Sequence, residues 1–143
     1  MNWESLFPGL IGSEYRLTSP PDLTYNCIAW AMGESDRWWW PDPTEFAYWP
    51  AGVPRLETVE SFTAMLVQLA FEPNANDSLE PDFEKIALFA KGSKPTHAAR
   101  QLKTGIWTSK LGSGEDIEHP LHAIAGKEYG QVVMIFRRRS NPS

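Results

Sequence analysis

Two side chains in this sequence have the chemistry of a nucleophile and its base. Cys27 is the only cysteine and lies in Tyr25-Asn26-Cys27-Ile28-Ala29-Trp30-Ala31. His97 stands seventy residues later, in Thr96-His97-Ala98-Ala99-Arg100-Gln101. A free thiol titrates near pH ~8.5, so little of it is thiolate at neutral pH. Asn26 is a good helix N-cap, which puts Cys27 at the first helical position. Unpaired backbone N–H groups and the positive end of the helix dipole favour an anion there. An imidazole in contact can take the thiol proton and hold a thiolate–imidazolium pair. The expected chemistry is acyl transfer to water: Cys27 attacks an amide or ester carbonyl, and His97 returns the proton to the leaving group.

Such a base needs an orienting partner and a rigid support. Lys103-Thr104-Gly105 reads as a hairpin turn joining a strand over 96–102 to one over 106–111. Ser109 then faces the strand that carries His97 and can accept a hydrogen bond from the imidazole. A hydroxyl fixes the tautomer but stabilises an imidazolium less than a carboxylate does. The backbone N–H of Cys27 is a ready donor to a developing oxyanion.

The elements around these residues predict an α+β class. A short helix runs from Asn26 to Gly33, a good C′ residue. Val59, Phe62, Leu66 and Leu69, with Met65 alongside, form one apolar helix face after a Thr58 cap, and the helix ends before Pro73. Strands are expected at 85–90, 96–102, 106–111 and 131–136. Residues 1–25 read as mostly irregular, with one helical turn over 2–6. Residues 112–130 read as a connection with a turn of helix near 121–125. A single domain over 1–143 is expected, built as a cysteine-bearing helix on an antiparallel sheet of four to five strands.

Residues 34–55 form a loop rich in Trp and Pro, placed to border a cleft beside Cys27. Trp38, Trp39, Trp40 and Trp107 are candidate walls for a peptide or acyl chain. Two further clusters carry less chemistry. His119 and His122, near Glu115, Asp116 and Glu118, have loose spacing for metal ligands and sit on a poor scaffold, so no metal site is expected. His119 also stands as an alternative partner for Cys27. Arg137-Arg138-Arg139 follows an apolar strand and reads as a solvated strand end.

Composition removes several function classes. The formal net charge is −5, against the basic face of a nucleic-acid binder. No apolar run approaches the ~20 residues that cross a bilayer, and the N-terminus shows no export signal, so a cytoplasmic protein without membrane contact is expected. One cysteine allows no internal disulfide. At 42% hydrophobic and 22% charged residues the chain can bury a core of its own.

The order of a Cys on a helix start, a His on a strand and a polar residue on the next strand resembles the papain-like cysteine hydrolases. It is closest to the NlpC-type cell-wall peptidases and CHAP-type amidases. In the NlpC-type pattern a Tyr about a dozen residues before the Cys helps to bind the oxyanion, and the third residue follows the His by about a dozen. Tyr15 precedes Cys27 by twelve, and Ser109 follows His97 by twelve. The motifs Tyr-Asn-Cys-Ile-Ala-Trp-Ala, Thr-His-Ala-Ala-Arg-Gln and Trp-Thr-Ser-Lys-Leu-Gly also resemble a group of uncharacterised bacterial proteins. The resemblance implies a papain-like fold, a Cys27–His97–Ser109 triad, Tyr15 as an oxyanion donor, and no cofactor. The chain departs from the pattern in three places: Asn26 and Ile28 flank the Cys, Arg16 and Leu17 replace a glycine pair, and Ser109 is a weak third member. Three readings stay open: a peptidase, amidase or deamidase acting on a peptide or protein, an inactive papain-like interaction module of inhibitor or immunity type, or a purely structural domain of a larger assembly. A thiol-directed electrophile separates the first from the others, since only an activated thiolate reacts well below pH ~7.

Overall fold

A computed structural model of the chain describes residues 2–140. Six strands form one antiparallel sheet in the order β1-β5-β4-β3-β2-β6. They are β1 (Arg16–Ser19), β2 (Phe83–Lys91), β3 (Lys94–Gln101), β4 (Trp107–Lys110), β5 (Asp116–His119) and β6 (Gln131–Arg139). Three short or medium helices accompany them: α1 (Trp3–Leu6), α2 (Cys27–Ala31) and α3 (Val59–Gln68). The α+β class holds, and the sheet is wider than the four to five strands expected, because β1 and β5 pair with each other in segments that read as irregular.

Local sequence explains the helix starts. Asn2 caps α1, accepting from the Glu4 and Ser5 amides. Asn26 caps α2, and Thr58 caps α3 by accepting from Ser61 N. Gly33, just past α2, takes φ 80, the left-handed geometry that ends a helix cheaply only with glycine.

The sheet separates two apolar clusters. On one face α2, α3 and the Trp-rich loop pack Tyr25, Cys27, Ile28, Trp39, Trp49, Phe62, Met65 and Leu66 against Ile86, Leu88, Ala98 and Phe136. On the other face the N-terminal segment and the 3-10 turn Leu121–Ile124 pack Phe7, Leu10, Leu121 and Ile124 against Ala87, Phe89, Ala99, Trp107 and Ile117. Alternate residues of β2 and β3 serve the two faces, as the pleat requires.

Two fully buried lysines are reconciled with this core by carbonyl cages. Lys85 Nζ donates to Asn76 O, Asn76 Oδ1 and Ser78 O and pairs with Glu80 at 2.7 Å. Lys110 Nζ donates to the carbonyls of Asp22, Gly112 and Gly114. Each cage replaces the water that a buried ammonium would otherwise lack. The Lys110 cage also ties the loop before α2 to the end of β4, and so fixes where α2 begins relative to the sheet.

Candidate active site

The position of Cys27 follows from Asn26. The Asn26 side chain is buried; its Oδ1 accepts from Ala29 N and from Trp39 N, and its Nδ2 donates to Trp39 O at 2.7 Å. One residue therefore starts the helix and pins the Trp-rich loop. Further along α2, the Trp30 indole donates to Thr108 Oγ1, and the Arg100 guanidinium donates to Trp30 O, so the helix is bonded to both β3 and β4.

The sulfur lies where β3 and β4 part. Their ladder registers only Arg100 with Thr108 and Gln101 with Trp107, which leaves β3 without a β4 partner from Lys94 to Ala99. At that open edge the amide of Ala98 faces Cys27 Sγ, together with the amides of Ile28 and Cys27 itself. The structure thus brings the thiol to Ala98, the residue next to His97, whereas the His97 ring itself packs with Phe89 and Tyr129 of the other cluster. Charge at Cys27 is also felt by the Tyr129 phenol, whose ring stacks on the His97 imidazole with centroids 4.0 Å apart and planes at 9°.

His97 is fully buried. Its ring sits between Tyr129 and Phe89, the latter edge-on at 5.4 Å. Among the described residues neither ring nitrogen has a hydrogen-bond partner, so no thiol–imidazole hydrogen bond exists in this state. An imidazole buried with both nitrogens unpaired costs about 1–3 kcal/mol for each unmet group, which makes it an uncommon feature of a native core.

The electrostatics run against the expected resting ion pair. Burial pushes the Cys27 thiol up to about 11, and the amides of Ala98, Ile28 and Cys27 and the Lys110 ammonium oppose that shift without cancelling it. Burial, and then the charge of His119, hold His97 well below the usual histidine range. A dipole at the end of a five-residue helix does not outweigh removal of the sulfur from water. In this closed state the pair is thiol and neutral imidazole.

Other expected roles are corrected. Ser109 does not hold His97: its hydroxyl meets His119 Nε2 at 2.7 Å, while His119 Nδ1 lies 2.7 Å from Pro120 O. A carbonyl can only accept, so Nδ1 carries the proton and Nε2 accepts from Ser109. Ser109 turns to His119 because β5 pairs with β4 and sets Trp107 opposite His119 on the same face. His119 is the fixed partner of Ser109, and none of its ring nitrogens is free for Cys27. The Tyr15 hydroxyl donates to Glu4 Oε2 at 2.6 Å, and its ring packs against the second cluster, so it is committed elsewhere than to an oxyanion.

The tryptophans divide in the same way. Trp39 is core, its indole donating to Glu34; Trp40 packs edge-on to Phe62; Trp38 alone of the three is exposed. Trp107 is buried in the second cluster but touches a groove of about 720 Å³ with Ile106, Leu121, Thr104, His122 and Asp77. Neither Cys27, His97 nor Trp38 to Trp40 lines that groove or the two smaller cavities, of about 470 and 390 Å³. Among the described residues no group of three His, Cys, Asp or Glu side chains converges as metal ligands, and no helix is long and apolar enough to cross a membrane.

Residues whose charge is coupled to the thiol and that sequence reasoning passed over are Tyr129 and Lys110, the latter beside the Tyr25–Asp116 pair. The Tyr25 hydroxyl donates to buried Asp116 Oδ2 at 2.7 Å, and Lys110 Nζ lies 4.9 Å from the Tyr25 ring centre. The signal for Lys110 was its place directly after Ser109 in a strand that alternates faces.

Residues 16–137 match the family described as a domain of unknown function, DUF7689. The chain belongs to that family. The matched span holds Cys27, His97, Ser109, His119 and Tyr129 and begins one residue after Tyr15. No curated protein and no solved structure matches the chain.

Proposed function

We propose that this domain is a papain-like cysteine hydrolase, a peptidase, amidase or deamidase, with Cys27 as nucleophile and His97 as general base. One observation carries it: the amides of Ala98, Ile28 and Cys27 act on the sulfur at the start of α2 and the unpaired stretch of β3, and Ala98 adjoins in sequence a buried imidazole with two unpaired nitrogens. The amides that stabilise a thiolate also serve an oxyanion formed at the same place. Access of substrate to Cys27 would remove the burial that raises its pKa and leave the amides and Lys110 favouring the thiolate. The His97 imidazole, held against Tyr129 by stacking and with both nitrogens unpaired, is then available to accept the thiol proton. Cys27 attacks the carbonyl of a peptide or protein substrate, the thiol proton passes to His97 and then to the leaving group, and water releases the acyl group. No cofactor enters these steps.

A second reading, an inactive papain-like interaction module, is favoured by the burial of Cys27 and its raised pKa. Alkylation of the folded protein by iodoacetamide across pH separates the two. An activated pair labels Cys27 well below pH ~7 and loses about 100-fold in rate in His97→Gln. Labelling with a midpoint above pH ~8, unchanged in His97→Gln, refutes the hydrolase and leaves the module.

A further inference from the structure

In a catalytic cysteine–histidine pair the imidazole must be held in one orientation and its cation stabilised. The residue expected to do both, Ser109, is bonded to His119. The His97 ring therefore takes its orientation from packing, and among the described residues two rings pack closely on it: Tyr129, parallel at 4.0 Å, and Phe89, edge-on at 5.4 Å.

Tyr129 is itself fixed on three sides. The Thr96 hydroxyl donates to Tyr129 O, which joins the tyrosine backbone to the residue preceding His97. Gly126 and Gly130 exchange two backbone hydrogen bonds, Gly126 N to Gly130 O at 2.8 Å and Gly130 N to Gly126 O at 2.7 Å, closing the loop that carries the tyrosine. Gly130 has φ 75, and a Cβ there would lie 2.1 Å from Ala90 O. The Tyr129 ring meets Phe7 at 5.1 Å and Phe89 at 6.4 Å. A loop clamped to this degree holds one aromatic face against one imidazole.

We propose that Tyr129 is the positioning residue of His97, orienting the ring by stacking and stabilising the imidazolium through its π face in the place of a polar third residue. This rests on the hydrolase reading. When Cys27 is deprotonated, the S–H bond breaks, an N–H bond forms on His97, and the positive charge appears against the electron-rich face of Tyr129. Cation–π attraction at a desolvated site is worth about 1–2 kcal/mol, which is roughly tenfold or more in the proton-transfer equilibrium. The charges around His97 otherwise work against it: His119 opposes a cation there, and Lys110 lies toward the Cys27 side. Tyr129 is thus the neighbour able to favour the protonated ring.

The test uses the full chain, iodoacetamide as the probe, and proton NMR of the His97 ring. Tyr129→Phe keeps a π face and should stay within about twofold of the parent in Cys27 alkylation at neutral pH. Tyr129→Leu should lose about tenfold, move the alkylation profile to higher pH, and shift the His97 ring protons downfield as the ring current disappears. Urea unfolding of each variant confirms that a folded protein is compared. A folded Tyr129→Leu that alkylates at the parent rate, from a parent that is reactive and His97-dependent, overturns the role of Tyr129 and leaves the hydrolase standing. A parent whose alkylation does not depend on His97 overturns both.

Discussion

Acid should unfold this domain earlier than its carboxylates require, because two histidines are buried as neutral rings. Burial holds His119 at about 4, against an ordinary value of about 6.5. His97 shifts in the same direction, with burial as its first cause. In the unfolded chain both bind protons as pH falls through ~6.5; in the folded chain they do not. The unfolded state then holds more protons, so stability rises with pH in this window and is lost as pH falls from about 6.5 toward about 4. For His119, with pKa values of ~6.5 unfolded and ~4 folded, the loss between pH ~7.5 and ~4.5 is on the order of 2–3 kcal/mol. His97 adds to it in the same sense. The carboxylates held below their usual range act later: Asp42, lowered to about 2 first by the Thr44 hydroxyl, and Glu80, lowered first by Lys85, lose their contributions only below about pH 4.5. Urea unfolding at several pH values between ~7.5 and ~4.5 measures the slope. His97→Phe removes two unpaired nitrogens and keeps a ring between Tyr129 and Phe89. It should fold, and its loss across the window should shrink toward the roughly 2–3 kcal/mol left to His119. A parent whose stability changes by less than about 1 kcal/mol over this range, or a His97→Phe slope equal to the parent's, would refute the assignment of neutral buried rings.

Two further outcomes follow from single contacts. Asn26→Ala removes the α2 cap and leaves the Trp39 amide and carbonyl without their partner, and should cost about 3 kcal/mol by urea unfolding, whereas a loss under about 1 kcal/mol would show that the loop is held by other contacts. Gly130→Ala puts a Cβ against Ala90 O at a left-handed φ and should cost more than about 2 kcal/mol while shifting the Tyr129 and His97 ring resonances; unchanged rings in a folded variant would contradict the clamp.

The sequence made some elements readable and hid others for physical reasons. Helix α3 announced itself through an apolar stripe and a Thr58 cap, and α2 through Asn26 and Gly33, because these signals are local. Strand β5 gave no such sign. It has four residues, and both its faces are covered, with Asp116 on one and His119 on the other as fully buried polar side chains, so the apolar alternation that marks a half-buried strand is absent. Strand β1 is nearly all exposed and exists through its pairing with β5, a contact about a hundred residues away in the chain. Missing β5 then misassigned Ser109. A hydroxyl judged only against β3 faces His97; with β5 alongside it finds His119 instead. The Trp-rich loop misled in the opposite way. Its aromatic density suggested a cleft wall, but Trp39 is drawn into the core by the Asn26 side chain, a capping residue thirteen positions earlier.

For the thiol itself, the legible signal and the deciding force were different quantities. The helix position of Cys27 was readable, and it contributes a stabilisation of about 0.3–1 kcal/mol to an anion, under one pKa unit. Burial outweighs it together with the amides and Lys110, leaving the thiol pushed up to about 11. The larger effect depends on what covers the sulfur, which no local pattern encodes. The two differ also in how they respond to opening. The amides of Cys27, Ile28 and Ala98 belong to the backbone of α2 and β3, whereas desolvation depends on the side chains packed around the sulfur. Without that desolvation, only contributions that favour the thiolate, from the three amides and Lys110, would remain. A reactive thiol in this domain would accordingly be one made reactive by what displaces its cover, and its rate should follow the frequency of that opening.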